Sequence, residues 1–453
     1  MRTLIKNGTI VNADGRARLD VLVEGDRITE LGQNLAAPDA RVIDAKGCYV
    51  LPGFIDTHTH FDLDTGSAVT ADDFITGSRA AVLGGTTAVL DFATQARDGS
   101  LQRALEEWHE KARGSSFNYG FHMAIARWDE GVRREMTAMA EQGVTSYKVY
   151  MVYDALRVDD GQIFQALQEA TRLGALVGAH CENWDVLLQM IRQVKGSGLT
   201  APYGHPLSRP AAVEAEAVNR FLRIAQLAHA PAYVVHLSTA QGLEEARRAR
   251  ARGQKVFLET CPQYLLLTDQ RYQDEDGAKY VMSPPLRKSW DNEALWQGLA
   301  EGEIDTLGTD HCSFTMAQKA LGKDDFSKIP NGAPGVQHRG QLIYTYGVCE
   351  GRLSLERMVA LLSANAARLF GMPDRGAIAA GKAADLLVWD PSYTGRITDT
   401  NHAHNCDNSP YAGLAVQGRA RDVLVNGELV VEGGEFIRPG QGKYIHRSRC
   451  AID

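Results

Sequence analysis

The chain has 453 residues, with 48 Lys and Arg against 56 Asp and Glu, a net charge of −8, and 44% hydrophobic residues. That balance suits a large globular core and argues against a polyanion partner; the one basic run, 247–252 in EEARRARARG, reads as the solvated end of a helix rather than a nucleic-acid patch. Seven cysteines without CxxC pairs exclude a disulfide framework, and no apolar run approaches the ~20 residues of a membrane span.

The N-terminus, MRTLIKNGTIV, begins with strand-like alternation and lacks a signal-peptide core, so the expected location is cytoplasmic. Residues 1–52 hold short β segments separated by Asn7-Gly8, Asp14-Gly15 and Gly25-Asp26, dipeptides that favour tight turns. From Gly53 the pattern changes. Apolar segments at 49–58, 86–94, 119–126, 146–152, 175–180, 232–237, 255–260 and 304–309 alternate with helix-period stretches at 72–83, 101–112, 131–141, 160–173, 209–228, 241–251 and 292–300. Eight such units predict an α/β fold, a (β/α)8 TIM-like barrel; an open doubly wound sheet is disfavoured because no GxGxxG follows the first strand. After a helix at 353–370 the chain returns to β, at 384–389, 422–425 and 428–431, with Asn426-Gly427 as a turn. These strands are expected to join residues 1–52 in one flanking β-sandwich built from both chain ends. The division is then 1–52 plus 376–453 for the sandwich and 53–375 for the barrel, with 391–418 read as an irregular surface or subunit-contact loop.

In such a barrel the C-terminal strand ends carry function. The stretch VLPGFIDTHTHFD ends in His58 and His60, which share one face of a strand. The predicted fifth strand ends in His180, the sixth in His236, and the eighth in Thr309-Asp310. Four histidines and an aspartate on one rim suit a metal centre. Lys148 lies in the apolar strand TSYKVYMVY, where an ammonium is costly to bury. It either snorkels or pairs with a carboxylate, or burial lowers its pKa so that the neutral amine captures carbon dioxide as a metal-bridging carbamate. His311, Cys181 and Cys312 point the other way by alternation and read as core. Asp56 shares the face of the two histidines and fits either a supporting role or turn structure.

Taken together, DTHTH, TSYKVYMVY, HCEN, VVHLS, ETCPQYLLL, SPPLR, GTDHCSF and PNGAPGVQHR resemble, in order and over essentially the whole chain, the amidohydrolase superfamily and its D-hydantoinase/dihydropyrimidinase branch. The resemblance implies two Zn2+ per subunit. His58, His60 and Asp310 would bind one, His180 and His236 the other, and N6-carboxylysine at Lys148 would bridge them. It also implies Tyr153 as an oxyanion contact, Ser283 and Asn331 as substrate contacts largely through backbone groups, Asp310 as the proton carrier, and a homotetramer. The substrate it implies is a small cyclic ureide or imide, opened by attack of a metal-bridging hydroxide; a D-hydantoinase would release N-carbamoyl-D-amino acids. Neither a nucleic acid nor a membrane is an expected partner.

Within that resemblance dihydroorotases are disfavoured, since HxHxR becomes His60-Phe61-Asp62 here, and allantoinases match SPPLR and PNGAPG less well. Many dihydropyrimidinases resemble MAYK after the lysine strand, where this chain reads MVYD. With Phe61, Leu63, Tyr150 and Leu156 expected to present apolar surface to a ring substituent, a 5-substituted, aryl-bearing hydantoin is favoured over dihydrouracil or dihydrothymine. A non-catalytic protein resembling the collapsin response mediators is disfavoured because all six ligand positions are present.

Overall fold

The structure, a computed structural model, describes residues 2–452. Eight strands form one parallel sheet in chain order: Phe54–Thr59, Thr86–Thr94, Asn118–Ala124, Ser146–Tyr150, Leu176–His180, Ala232–Val234, Val256–Thr260 and Thr306–Leu307. Their side chains are buried on both faces, as parallel strands under a helical shell must be. The crossovers are helices with legible caps. Asp159 and Gln162 close a reciprocal capping box on Asp160–Leu173, which ends at left-handed Gly174, φ 69°. Asn183 caps Trp184–Gly196 only three residues beyond His180, so the fifth strand ends abruptly and aims that imidazole over the barrel mouth.

The last strand is too short to close the ring by a backbone ladder, and side chains close it instead. Buried Arg339 donates from Nη1 to Ile55 O at 2.9 Å and Leu307 O at 2.8 Å, joining the first strand to the eighth. Asp56 accepts from the Thr309 hydroxyl at 2.7 Å and from the Thr309 N–H at 3.1 Å across the same seam. A single bridge, Thr59 to His311, is the only backbone pairing there among the described residues.

Both chain ends build the flanking β layers. A four-stranded sheet runs Arg27–Gly32, Asp20–Glu24, Arg2–Lys6, Arg41–Asp44; a seven-stranded sheet runs Glu435–Phe436, Glu428–Glu432, Ala415–Val425, Leu386–Arg396, Tyr49–Pro52, Thr9–Asn12, Gly15–Ala17. Ile5, Val21, Val50, Leu386, Val388 and Leu424 share one buried cluster that unites the two sheets.

Three details differ from expectation. The predicted strand 49–58 divides at Gly53, its first half pairing antiparallel with Leu386–Arg396 in the sandwich and its second opening the barrel. A Cβ at Gly53 would collide with the Thr87 side chain, which is why the chain can cross between layers there. The stretch 391–418 is not one loop. Its two ends extend the antiparallel pair Leu386–Arg396 and Ala415–Val425, whose register shifts at Val388/Trp389 and Asp390/Thr394 blur the period-two pattern. The helix at 353–370 is interrupted by a π turn, Ala360–Ala364, between Leu355–Val359 and Asn365–Leu369.

Candidate metal and substrate site

Five of the six donor residues expected from the sequence meet at the C-terminal mouth of the barrel, and the sixth, Lys148, lies buried in the fourth strand close enough to Asp310 to feel its charge. His58 Nε2 and His60 Nε2 each lie 3.2 Å from the same Asp310 Oδ1. Donor atoms of His58, His236 and Asp310 fall within 4.8 Å of one another. The His180 and His236 rings are 4.5 Å apart, and His236 lies 5.2 Å from His58. Lys148 is buried in the middle of the fourth strand, its Nζ 4.9 Å from the Phe92 ring centre and 5.2 Å from that of Tyr150. Phe92, from the second strand, forms the apolar floor beneath His58 and His60, at 4.6 and 4.9 Å between ring centres.

The hydrogen bonds behind the histidines fix which nitrogen faces the mouth. Buried Glu259 accepts from the Thr57 hydroxyl at 2.7 Å, the Tyr233 hydroxyl at 2.8 Å and the His236 N–H at 3.1 Å, a donor set that suits a carboxylate. His58 Nδ1, 2.6 Å from the same carboxylate, is therefore the protonated nitrogen, and its Nε2 presents a lone pair to Asp310. His180 Nε2 meets Glu182 at 2.7 Å, and Glu182 is held by Arg209 Nη1 at 2.6 Å, which leaves His180 Nδ1 for the site. Carboxylates behind imidazoles are a common way to orient metal-ligating histidines.

Electrostatics point the same way. Burial drives His58, His236 and His180 below the usual imidazole range, so they are neutral. Burial also lowers Lys148 to about 8 against the opposing pull of Asp310 and Glu259, which makes an uncharged amine accessible. For Asp310 burial acts upward, but the hydrogen bond from His60 and the nearby Lys148 act downward, and the carboxyl lies below its ordinary value. A lone pair on His58 facing an ionised carboxylate at 3.2 Å is two acceptors without a proton between them. A cation between them resolves that, and the nitrogen and oxygen donors fit a borderline divalent ion such as zinc.

Backbone strain gathers at the same rim. His236, Asp310 and Tyr153 are non-glycine residues with φ of 38°, 53° and 70°. Such conformations cost of order 1–3 kcal/mol each and persist where surroundings impose them. Tyr153 opens a turn in which its carbonyl accepts from Leu156 and Arg157 N–H groups at 2.9 and 2.8 Å, and its ring lies 5.5 Å from His180. Burial pushes its hydroxyl up to about 12, with Arg209 and the Ser283 hydroxyl pulling the other way, so it remains a donor. Ser283 Oγ donates to Asn331 Oδ1 at 3.1 Å, which joins the loops after the seventh and eighth strands.

Phe61 does not face this site. It packs in the core against Phe74, Phe117 and His311, at 5.5, 5.6 and 5.0 Å between ring centres, because the residue after His60 turns to the opposite side. His311, Cys181 and Cys312 are buried, as alternation predicts, and Asp56 belongs to the barrel seam. Glu259, Glu182 and Arg209 went unassigned in the sequence, although ETCPQY and HCEN already place both carboxylates at strand ends.

A parallel barrel with histidines and a carboxylate gathered at this rim has the form of a barrel enzyme with a candidate metal site. A family model described as the amidohydrolase family matches residues 49–430. A D-hydantoinase of Geobacillus stearothermophilus is 43% identical over 458 residues, covering 99% of this chain and 97% of the relative. A D-phenylhydantoinase of Escherichia coli is 43% identical over 454 residues, covering 99% and 98%. The crystal structure of a dihydropyrimidinase from Brevibacillus agri superposes with a TM-score of 0.98 at 42% identity, covering 100% of both chains. The chain belongs to the amidohydrolase family, in its D-hydantoinase/dihydropyrimidinase branch.

Proposed function

We propose that this protein is a zinc-dependent cyclic amidohydrolase, a D-hydantoinase that opens 5-substituted hydantoins, aryl-bearing ones included, to N-carbamoyl-D-amino acids. The observation that carries the reading is the pair of His58 and His60 Nε2 atoms on one Asp310 oxygen, with His180 and His236 completing the rim and Lys148 buried in the fourth strand. His58, His60 and Asp310 would hold one zinc, His180 and His236 the second, and Lys148, as a carbamate, would stand between them. Bound there, two divalent cations supply Lewis acidity and lower the pKa of a shared water.

The chain's own residues do the rest. Asp310 takes the proton of the attacking water and delivers it to the ring nitrogen as the C–N bond breaks. The Tyr153 hydroxyl donates to the carbonyl oxygen as charge develops on it. Ser283 and Asn331 hold the ring from the opposite loops. Tyr150, Tyr153 and half-buried Trp184, whose ring lies 6.2 Å from that of Tyr153, offer aromatic surface to a substituent. The barrel, 53–375, is the catalytic unit in this reading and 1–52 plus 376–453 the flanking one. A cytoplasmic homotetramer is the state the family likeness supports; among the described residues no helix is long and apolar enough to cross a membrane.

A second reading, ring opening of 5,6-dihydrouracil or dihydrothymine, is supported by the high similarity to a structure described as a dihydropyrimidinase. The two are separated by steady-state rates of the zinc-loaded enzyme on 5-phenylhydantoin and on dihydrouracil. The proposal expects the hydantoin to be opened faster and the activity to vanish on chelation. Faster opening of dihydrouracil reverses the order of the two readings.

A further inference from the structure

Lys319 is a buried lysine with no carboxylate partner among the described residues. It lies at the end of the short helix Met316–Lys319, nine residues beyond Asp310, and is 1% exposed. Its Nζ donates to three backbone carbonyls, Val281 O at 2.8 Å, Pro330 O at 2.7 Å and Gly332 O at 2.6 Å. An ammonium has three N–H groups, and all three are used. Two of those carbonyls bracket Asn331, and the third lies two residues before Ser283. The two segments are also tied directly, by Gly332 N–H to Val281 O at 3.0 Å and by the Ser283 to Asn331 side-chain bond. His205 Nε2 meets Met282 O at 2.8 Å, so the peptide between Val281 and Ser283 is held from the interior as well.

Position 319 therefore does something a structural lysine need not do. Peptide planes are rigid, so holding the carbonyl at 330 fixes the direction of the Asn331 N–H in the same plane, the Gly332 N–H bonded to Val281 O fixes that of the Asn331 carbonyl, and the carbonyl at 332 anchors the plane that follows. The carbonyl at 281 similarly limits the approach to Ser283. A buried ammonium is costly, and burial with no facing carboxylate draws this one down to about 7. A hydrophobic residue would fill the space without that cost but would leave the Pro330 and Gly332 carbonyls without this donor and Val281 O with the Gly332 N–H alone.

We propose that Lys319 is a positioning residue for substrate binding: it clamps the loops after the seventh and eighth barrel strands so that the Ser283 and Asn331 backbone groups present one preformed surface to the substrate's ring. The inference rests on the reading that Ser283 and Asn331 hold the substrate. It places Lys319 outside the metal centre, since its bonds go to substrate loops and none goes to a proposed ligand.

The test compares zinc-loaded wild type, Lys319→Met, Lys319→Arg and Asn331→Pro, which removes the Asn331 backbone N–H, with kinetics on 5-phenylhydantoin at pH 7, zinc content and Tm. Lys319→Met is expected to raise KM about 10- to 100-fold, with the smaller change in kcat and full zinc content, because interactions common to ground and transition state are lost. Lys319→Arg, which keeps the charge and several donors, is expected to recover part of that KM. If Lys319→Met does not fold, Lys319→Gln, with two donors, replaces it in the same comparison. Wild-type KM in Lys319→Met alongside a raised KM in folded, zinc-loaded Asn331→Pro overturns the inference and spares the reading beneath it. Wild-type KM in both overturns both. A fall in kcat and zinc content with KM unchanged makes Lys319 a structural residue of the metal centre and also overturns the inference.

Discussion

Glu259→Gln isolates the support behind the histidines. The carboxylate is fully buried and has four donors around it: the Thr57 and Tyr233 hydroxyls, His58 Nδ1 and the His236 N–H, at 2.6–3.1 Å. Glutamine preserves shape and one acceptor oxygen, but its NH2 turns toward groups that themselves donate. The Thr57 and Tyr233 hydroxyls must turn to accept from that NH2, and the bonds that the neutral amide oxygen keeps to His58 and His236 are roughly half as strong as those of a carboxylate. His58 is the partner that matters most. Without a carboxylate on Nδ1, its tautomer and ring direction are no longer fixed and its basicity falls. Loss of such support costs about 10- to 100-fold in metal affinity, or about 1.4–2.8 kcal/mol. The assay is competitive chelation of the zinc-loaded protein, read as zinc retained against free chelator, with the Tm of the metal-free protein measured alongside. The expected variant loses zinc at about 10- to 100-fold lower chelator strength. Unchanged zinc retention in a folded Glu259→Gln variant refutes the argument that this carboxylate directs His58.

Lys148→Ala is expected to abolish ring opening and reduce bound zinc, measured by turnover and metal analysis; full zinc and full rate would remove the bridging carbamate from the account. Tyr153→Phe is expected to lower kcat by about 10²- to 10³-fold, the range seen for loss of one oxyanion donor, with KM little changed in steady-state kinetics; an equal rate would exclude the hydroxyl. In the metal-free protein Lys148 should contribute stability that grows as pH rises from about 8 toward the unfolded lysine value, because it binds fewer protons there than in the unfolded chain, against the opposite contribution of buried thiols such as Cys312 and Cys450, which burial pushes up. Urea unfolding across that window should show the slope reduced in Lys148→Met, and an identical slope would contradict the burial argument.

The alternation of apolar segments with helical periods made the barrel legible, and strand-end placement made His58, His60, His180, His236 and Asp310 legible, because both are local patterns of period two and 3.6. What supports them was not local. Glu259 and His58 are 201 residues apart, and Arg339 reaches Ile55 across 284. A glutamate ending an apolar strand, or an arginine in a loop, gives no sign of such a partner until the strands are wound into a ring. Phe61 was misplaced for a related reason. Strand alternation applied strictly sends it away from His60's face, yet its nearness in sequence to the two histidines suggested substrate contact. The bulged arms of Leu386–Arg396 and Ala415–Val425 stayed hidden because glycines and register shifts erase the strand period. Lys319 lay in plain view in TMAQKALG, with nothing in its neighbours to indicate three carbonyls from two other loops.

The most direct test of the central claim is the stereochemistry of the product made by the zinc-loaded enzyme from racemic 5-phenylhydantoin, resolved by chiral chromatography and repeated after chelation and after zinc is restored. The account predicts N-carbamoyl-D-phenylglycine as the dominant product, no product after chelation, and recovery with zinc. A racemic or L product would contradict the assignment as a D-hydantoinase, and ring opening that survives complete removal of metal would contradict the site itself.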